Sequence, residues 1–183
     1  MSDASPDRLR RLVDAGIALS SELTLDGVLQ RIVDTAADLT GARYAALGVL
    51  DTSGTALERF ITAGIDDELR ARIGPAPVGK GVLGLLIRDA RPIRLHDIAA
   101  HPQSVGFPAN HPPMATFLGV PIIQRGTAYG NLYLAEKHDG SDFSAEDEDV
   151  VRMLAAQAAV AVENARLYEA QVRWLRQLES INE

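Results

Sequence analysis

Apolar positions recur along this chain in two rhythms, one near 3.6 residues and one of two. Between residues 25 and 39, Val28, Leu29, Ile32, Val33 and Ala36 share a helical face, and Thr40-Gly41 supplies a stop. Upstream, residues 6–23 predict a further helix. Ser5 is its cap, Pro6 suits its first turn, and Leu9, Leu12, Leu19 and Leu23 follow heptad spacing, with Gly16 in the seam position between. The rhythm then changes to alternation. Residues 43–50 (RYAALGVL) and 56–63 (ALERFITA) predict antiparallel strands about a turn at 51–54.

The strand pattern is next interrupted. Residues 66–73 and 79–89 predict short helices, the second entered through glycines, and residues 92–95 a short extended piece. From His96 to Pro113 the chain reads as loop, with Pro102, Pro108, Pro112 and Pro113. Residues 117–124 and 128–136 then predict two strands about Arg125-Gly126-Thr127. FSAEDEDV opens a final helix: Ser144 caps it, Asp147 follows three residues on, and the acidic run suits the positive end of the helix dipole. It is expected to run to about residue 180, with Leu154, Ala158, Ala161, Ala165, Tyr168, Val172 and Leu175 in heptad rhythm. Its small alanines suit close packing on a sheet. Its larger second half, with Trp174, calls for a partner helix, simplest from a second copy joined also by the N-terminal seam. The chain stops within this amphipathic helix, at QLESINE, as a piece of a longer protein would.

The 183 residues suffice for one domain with its own core. Eighteen lysines and arginines stand against 25 acidic residues, net charge −7. That balance argues against nucleic acid, whose binding rests on cations neutralising phosphates. No apolar run reaches membrane-spanning length and no signal-peptide core is present, so a cytoplasmic protein without membrane insertion is expected. There is no cysteine, which removes disulfides, thiol catalysis, cysteine-held zinc and thioether-linked chromophores such as bilins. Metal chemistry through nitrogen falls to His96, His101, His111 and His138.

The element order, with LQRIVDTAADLTGARYAALGV at the first strand and FSAEDEDVVRMLAAQAAVAVENARLYEA at the exit, resembles a GAF domain. The resemblance spans roughly residues 25–168. It implies an α+β fold: a central antiparallel sheet with helices on one face, a loop and helix insertion covering a ligand pocket on the other, and long N- and C-terminal helices. The expected organisation is a dimerisation helix at 1–24, the GAF domain at 25–168 and the start of a signalling coiled coil at 169–183. GAF domains are usually sensory modules rather than enzymes.

A narrower likeness lies in RPIRLHDIAAHPQSVGFPANHPPMATFLGVPI and YGNLYLAEKHDG. These phrases resemble the heme-binding first GAF domain of oxygen and redox sensor histidine kinases of the DevS/DosT type. The resemblance implies heme b, with His111 of HPPM as the proximal iron ligand. It implies that Tyr133 of NLYL lies on the distal side and hydrogen-bonds to bound dioxygen. Dioxygen, nitric oxide, carbon monoxide or the iron's oxidation state would be the signal, relayed through the exit helix of a homodimer to a downstream kinase domain. Those kinases usually carry arginine after HPPM, where this chain has Ala115; Gly48 in the first strand would leave the distal pocket open.

The residues themselves support part of this. Imidazole is a natural heme ligand, and Pro112 and Pro113 restrict the loop that carries His111. Tyr133 alternates with Leu132 and Leu134 and so faces away from them. Candidate pocket residues are Gly81, Val82 and Leu85, with Phe107, Met114, Phe117 and Leu118; each would also serve as ordinary core. Gly79, Leu83, Leu86, Ile87, Val120 and Ile122 belong to the same candidate lining. His101 is a rival ligand, and a zinc site from His96, Asp97, His101 and His111 fits no compact ligand spacing. Lys137, Phe143, Asp147 and Glu148 loosely resemble the NK-F-DE pattern of cyclic-nucleotide GAF domains, with Glu136 in place of asparagine. No nucleophile triad or phosphate-cradling glycine loop is found. The alternative reading is a GAF domain that binds a small organic molecule, or only dimerises and relays, without heme.

Overall fold

The computed structural model describes residues 24–181, together with the isolated Arg11. The helix expected over residues 6–23 lies outside the described residues.

Helix α1 spans Leu25–Thr40. The Thr24 hydroxyl accepts a hydrogen bond from the Gly27 N–H, and Gly41, in the left-handed region at φ 73°, returns its N–H to the Ala37 carbonyl. Leu29, Ile32, Val33, Ala36 and Leu39 form the buried face. Strand β1 (Ala42–Leu50) pairs with β2 (Leu57–Ala63). Helices α2 (Asp67–Ile73) and α3 (Gly81–Arg88) follow, then β3 (Ile93–Leu95) and a short 3₁₀ turn at Ile98–Ala100. β4 (Phe117–Gln124) and β5 (Thr127–Lys137) form a hairpin, and α4 runs from Ala145 to Ile181. The hairpin turn is Arg125-Gly126, with Thr127 already paired to Gln124. Both turn residues have positive φ, 51° and 76°, the geometry that matches strand twist.

The five strands form one antiparallel sheet in the order β2-β1-β5-β4-β3. The chain is therefore α+β, with β5 in the middle of the sheet. On one face α1 and α4 cover Leu47, Val49, Leu118, Val120, Ile122, Leu132 and Leu134 in one apolar core. Ala155, Ala158 and Ala159 of α4 are buried there, the small side chains that let helix and sheet approach. On the other face a smaller cluster of Val82, Leu86 and Phe117 joins α3 to β4. Gly119 makes that contact possible: a Cβ there would lie 2.6 Å from Leu86 Cδ1.

The start of α4 is tied to the end of β5. Ser144 N–H donates to Asp147 Oδ2 at 2.9 Å, and Asp147 N–H donates to Ser144 Oγ at 3.1 Å. Lys137 Nζ donates to the same Asp147 oxygen at 2.9 Å, and Asp147 is buried. The loose cyclic-nucleotide pattern in the sequence is thus, in part, a joint between strand and helix. Farther along, Arg166 bonds the Leu50 carbonyl and pairs with Glu58 at 3.5 Å, while Glu163 pairs with Arg125 at 3.6 Å.

Beyond Arg166 α4 leaves the body, and Leu167 and Trp174 are 63% and 60% exposed. With Met153 and Val160 they repeat every seven residues on an exposed side of the helix. This stripe differs from the sequence-derived seam, whose Leu154 and Ala158 are spent in the domain core. No helix among the described residues is long and apolar enough to cross a membrane.

Removing one partner of a buried ion pair leaves an uncompensated charge. Asp147→Ala is therefore expected to lower unfolding stability by about 3 kcal/mol, measured by urea denaturation. Asp149→Ala, one turn position away without this pairing, serves as the control.

Candidate ligand-binding site

The face of the sheet opposite α1 and α4 carries a cavity of about 310 Å³. Its floor is built by strand alternation: Tyr44 and Ala46 of β1, Phe60 and Thr62 of β2, Phe117 of β4 and Tyr133 of β5 all point to this side. Ile73 of α2, Val82 and Leu83 of α3, Ile98 and the loop residues Val105, Phe107, His111 and Met114 complete the wall. The lining is almost wholly apolar or aromatic, and the volume lies at the small end of the range for organic ligands.

The loop that brings His111 here is pinned at several points. Asn110, at φ 65°, donates from Nδ2 to the Arg72 carbonyl at 3.2 Å, and the His111 N–H donates to Pro108 O at 3.3 Å. After Pro112 and Pro113, Glu136 Oε1 accepts the N–H groups of Ala115 and, at 3.1 Å, Thr116. Ile98 N–H donates to the Ala115 carbonyl at 2.8 Å. The residue after HPPM is thus held through its backbone, by a carboxylate from the neighbouring strand.

The imidazole itself is fixed twice. Its ring stacks on Phe107, with centroids 4.6 Å apart and planes 20° from parallel. Nδ1 lies 2.8 Å from the Pro112 carbonyl oxygen. A carbonyl only accepts, so Nδ1 is the donor in this contact, and in the neutral ring Nε2 is the nitrogen that carries the lone pair. Nε2 makes no hydrogen bond among the described residues. A ring nitrogen held in this tautomer by a backbone carbonyl is the arrangement in which imidazole ligates a metal.

Tyr133 stacks on Phe117 at 5.9 Å. Burial pushes its pKa well above the ordinary tyrosine value, so the hydroxyl stays protonated, and it has no hydrogen-bond partner among the described residues. Leu132 and Leu134 lie in the opposite core, as the alternation predicts.

Of the other sequence candidates, Val82, Leu83, Phe107, Met114 and Phe117 line the cavity, and Leu118, Val120 and Ile122 do not. They sit one strand position out of phase with Phe117 and pack under the helices. Gly81 and Leu85 also lie outside the lining; Gly81 instead admits the loop, since a Cβ there would meet Gln103 O at 2.9 Å. Gly48 opens no space in this cavity. A Cβ on it would meet Leu57 Cδ2 at 2.9 Å and Asn131 Oδ1 at 3.0 Å, so neighbours already fill that position. His96 and His101 are engaged elsewhere: His96 Nδ1 lies 2.8 Å from Asp142, which raises its pKa, and His101 Nδ1 accepts the Gln103 N–H. No group of three or more histidines or carboxylates able to hold a metal ion is formed among the described residues. The sequence reading missed Tyr44, Phe60 and Ile73, because both faces of β1 and β2 are covered and periodicity alone did not tell cavity from core.

The family model for the GAF domain matches residues 22–163, across the sheet, the insertion and the first half of α4. The chain belongs to the GAF domain family. Its fold is similar to the GAF domain of a phosphoenolpyruvate-protein phosphotransferase from Coxiella burnetii, with a TM-score of 0.80 and 24% identity. That match covers 92% of this chain and 99% of the other. A methyl-accepting chemotaxis protein fragment, residues 122 to 287, is similar with a TM-score of 0.69 and 21% identity, over 85% of this chain and 99% of that one. In sequence the GAF domain is 24% identical over 162 residues to a probable 3′,5′-cyclic phosphodiesterase, pde-5, of Caenorhabditis elegans. The match covers 80% of this chain and 21% of that protein, so the GAF domain spans about a fifth of its relative.

Glu136→Ala removes the acceptor that holds the end of the histidine loop. The Ala115 and Thr116 amides are then expected to exchange with solvent about tenfold faster, since each loses a bond to a charged acceptor. Hydrogen exchange read by NMR checks this.

Proposed function

We propose that this GAF domain is the sensory domain of a two-component histidine kinase and binds heme b through His111. The signal is a diatomic gas, namely dioxygen, nitric oxide or carbon monoxide, or the redox state of the iron. The observation that carries the reading is the imidazole tautomer. Nδ1–H is committed to Pro112 O, and the free Nε2 belongs to a side chain lining an apolar cavity.

Heme iron, when bound, supplies reversible ligation of a diatomic molecule and one-electron redox chemistry. The chain supplies the rest. Phe107 and Pro112 hold the ring of His111 in plane and tautomer. The apolar walls exclude water, and the Tyr133 hydroxyl, protonated and without a protein partner, offers a hydrogen bond to a polar ligand. Leu132 and Leu134, on either side of Tyr133, pack into the core that includes Leu154 and Ala158 of α4. A ligand that favours one position of β5 thereby biases the exit helix, and differential affinity for two helix arrangements is all that relay requires. The exposed repeat Met153, Val160, Leu167 and Trp174 supports pairing of α4 with a second copy, in register for a downstream kinase domain. We assign binding to this cavity on its mostly apolar and aromatic lining.

His111→Ala is expected to lose heme while keeping the far-ultraviolet circular dichroism of the parent. Heme content after reconstitution with hemin measures it, and unchanged content would remove His111 as the ligand. Tyr133→Phe is expected to quicken dioxygen dissociation from the ferrous protein by about tenfold, the worth of one buried hydrogen bond, in a stopped-flow measurement. An unchanged rate would take Tyr133 out of ligand stabilisation.

A further inference from the structure

We infer that Arg70 and Lys80 form a cationic mouth that selects a ligand with a carboxylate edge; on the heme reading above, on which this rests, that edge is the pair of porphyrin propionates. Arg70 and Lys80 are the charged residues in the cavity lining besides the titratable His111, and no acidic side chain joins them. They come from different elements, Arg70 from α2 and Lys80 from the residue before α3, and both are exposed while lining the cavity, which puts them at its solvent edge. Neither forms an ion pair among the described residues. In a chain with 25 acidic and 18 basic side chains, two cations on one apolar cavity, with no ion pair among the described residues, need a reason.

Their local structure supplies one. Arg70 Nη2 donates to the Phe60 carbonyl at 2.8 Å, and the guanidinium lies 5.5 Å from the centre of the Phe60 ring. That contact holds the head group in place and leaves its remaining N–H groups without a partner among the described residues. A guanidinium so fixed loses little freedom when it grips a carboxylate by two parallel bonds. Lys80 holds the N-cap position of α3, where an ammonium has no lone pair to accept a helix N–H, and it is exposed with no ion pair or hydrogen bond among the described residues. An apolar slot with cations only at its rim favours an amphiphile: a flat hydrophobic body within and an anionic edge at the mouth. A neutral ligand of the same shape would gain the apolar contacts and forgo the charged ones.

Hemin and hemin dimethyl ester differ in this edge alone. Each is titrated into the wild-type protein and into Arg70→Gln/Lys80→Gln, with Soret absorbance as the readout. The wild type is expected to bind hemin about tenfold or more tightly than the ester, the range for hydrogen bonds to charged groups. The double variant is expected to bind the ester as the wild type does, which shows an intact cavity, and to bind hemin no better than the ester. Equal affinity of the wild type for both probes, with a normal Soret change, overturns the inference and leaves the heme reading standing. A double variant that keeps the full preference also overturns it. A wild type that shows no Soret change with either probe overturns the heme reading and this inference together.

Discussion

β5 is the middle strand of five, and the alternation of its side chains divides the molecule into two environments. Leu132 and Leu134 point into a dry core sealed by α1 and α4; Tyr133 between them points into the cavity. A strand slipped by one residue would exchange those roles, so the register is strongly specified by the buried face. The antiparallel neighbours keep the same parity. Ala46 stands opposite Tyr133 on β1 and Gly119 on β4; the first leaves room beside the tyrosine, and the second admits Leu86 and the Phe117 ring that packs on it. The cavity lies over Ala46 and Tyr133, roofed by α2, α3 and the long loop, while the space at Gly119 is taken by Leu86 of α3 and the Phe117 ring.

The roof matters as much as the floor. A histidine in the long connection between the 3₁₀ turn at Ile98–Ala100 and β4 would ordinarily sample many positions. Here two prolines, the Asn110 bond to α2, the Phe107 stack and the Glu136 carboxylate leave the ring one place to be. Those contacts come from α2, from the loop itself and from β5. The side chain that would hold iron is therefore anchored partly to the strand that would report on it. The other side of β5 meets α4, whose core contacts end near Arg166 and whose exposed apolar residues continue beyond it.

Much of this was legible in the sequence. The strands and helices appeared with small boundary errors because each element keeps one clear period, and Ser144 with Asp147 marked the start of α4 through its cap. His111 and Tyr133 stood out through a likeness of motif, and the alternation of Leu132, Tyr133 and Leu134 assigned their faces. Other features were hidden by physics that pattern does not encode. FLGVPI is apolar on both faces, so Leu118 could not be told from Phe117 without knowing which neighbour covers which side. α4 is likewise apolar on two stripes, one spent on the sheet and one exposed, and heptad spacing fits both. The cationic pair at the cavity mouth is separated by ten residues and joined only by the turn between two short helices.

The central claim is a histidine-ligated heme in this cavity. Its most direct test is the ultraviolet–visible spectrum of the wild-type protein after addition of one equivalent of hemin, recorded ferric, after reduction, and under carbon monoxide. A heme held by His111 gives a sharp Soret band that moves on reduction and again with carbon monoxide, in the pattern of iron with one imidazole ligand. A spectrum that stays that of free hemin in all three states would contradict it and leave a GAF domain whose cavity serves another molecule.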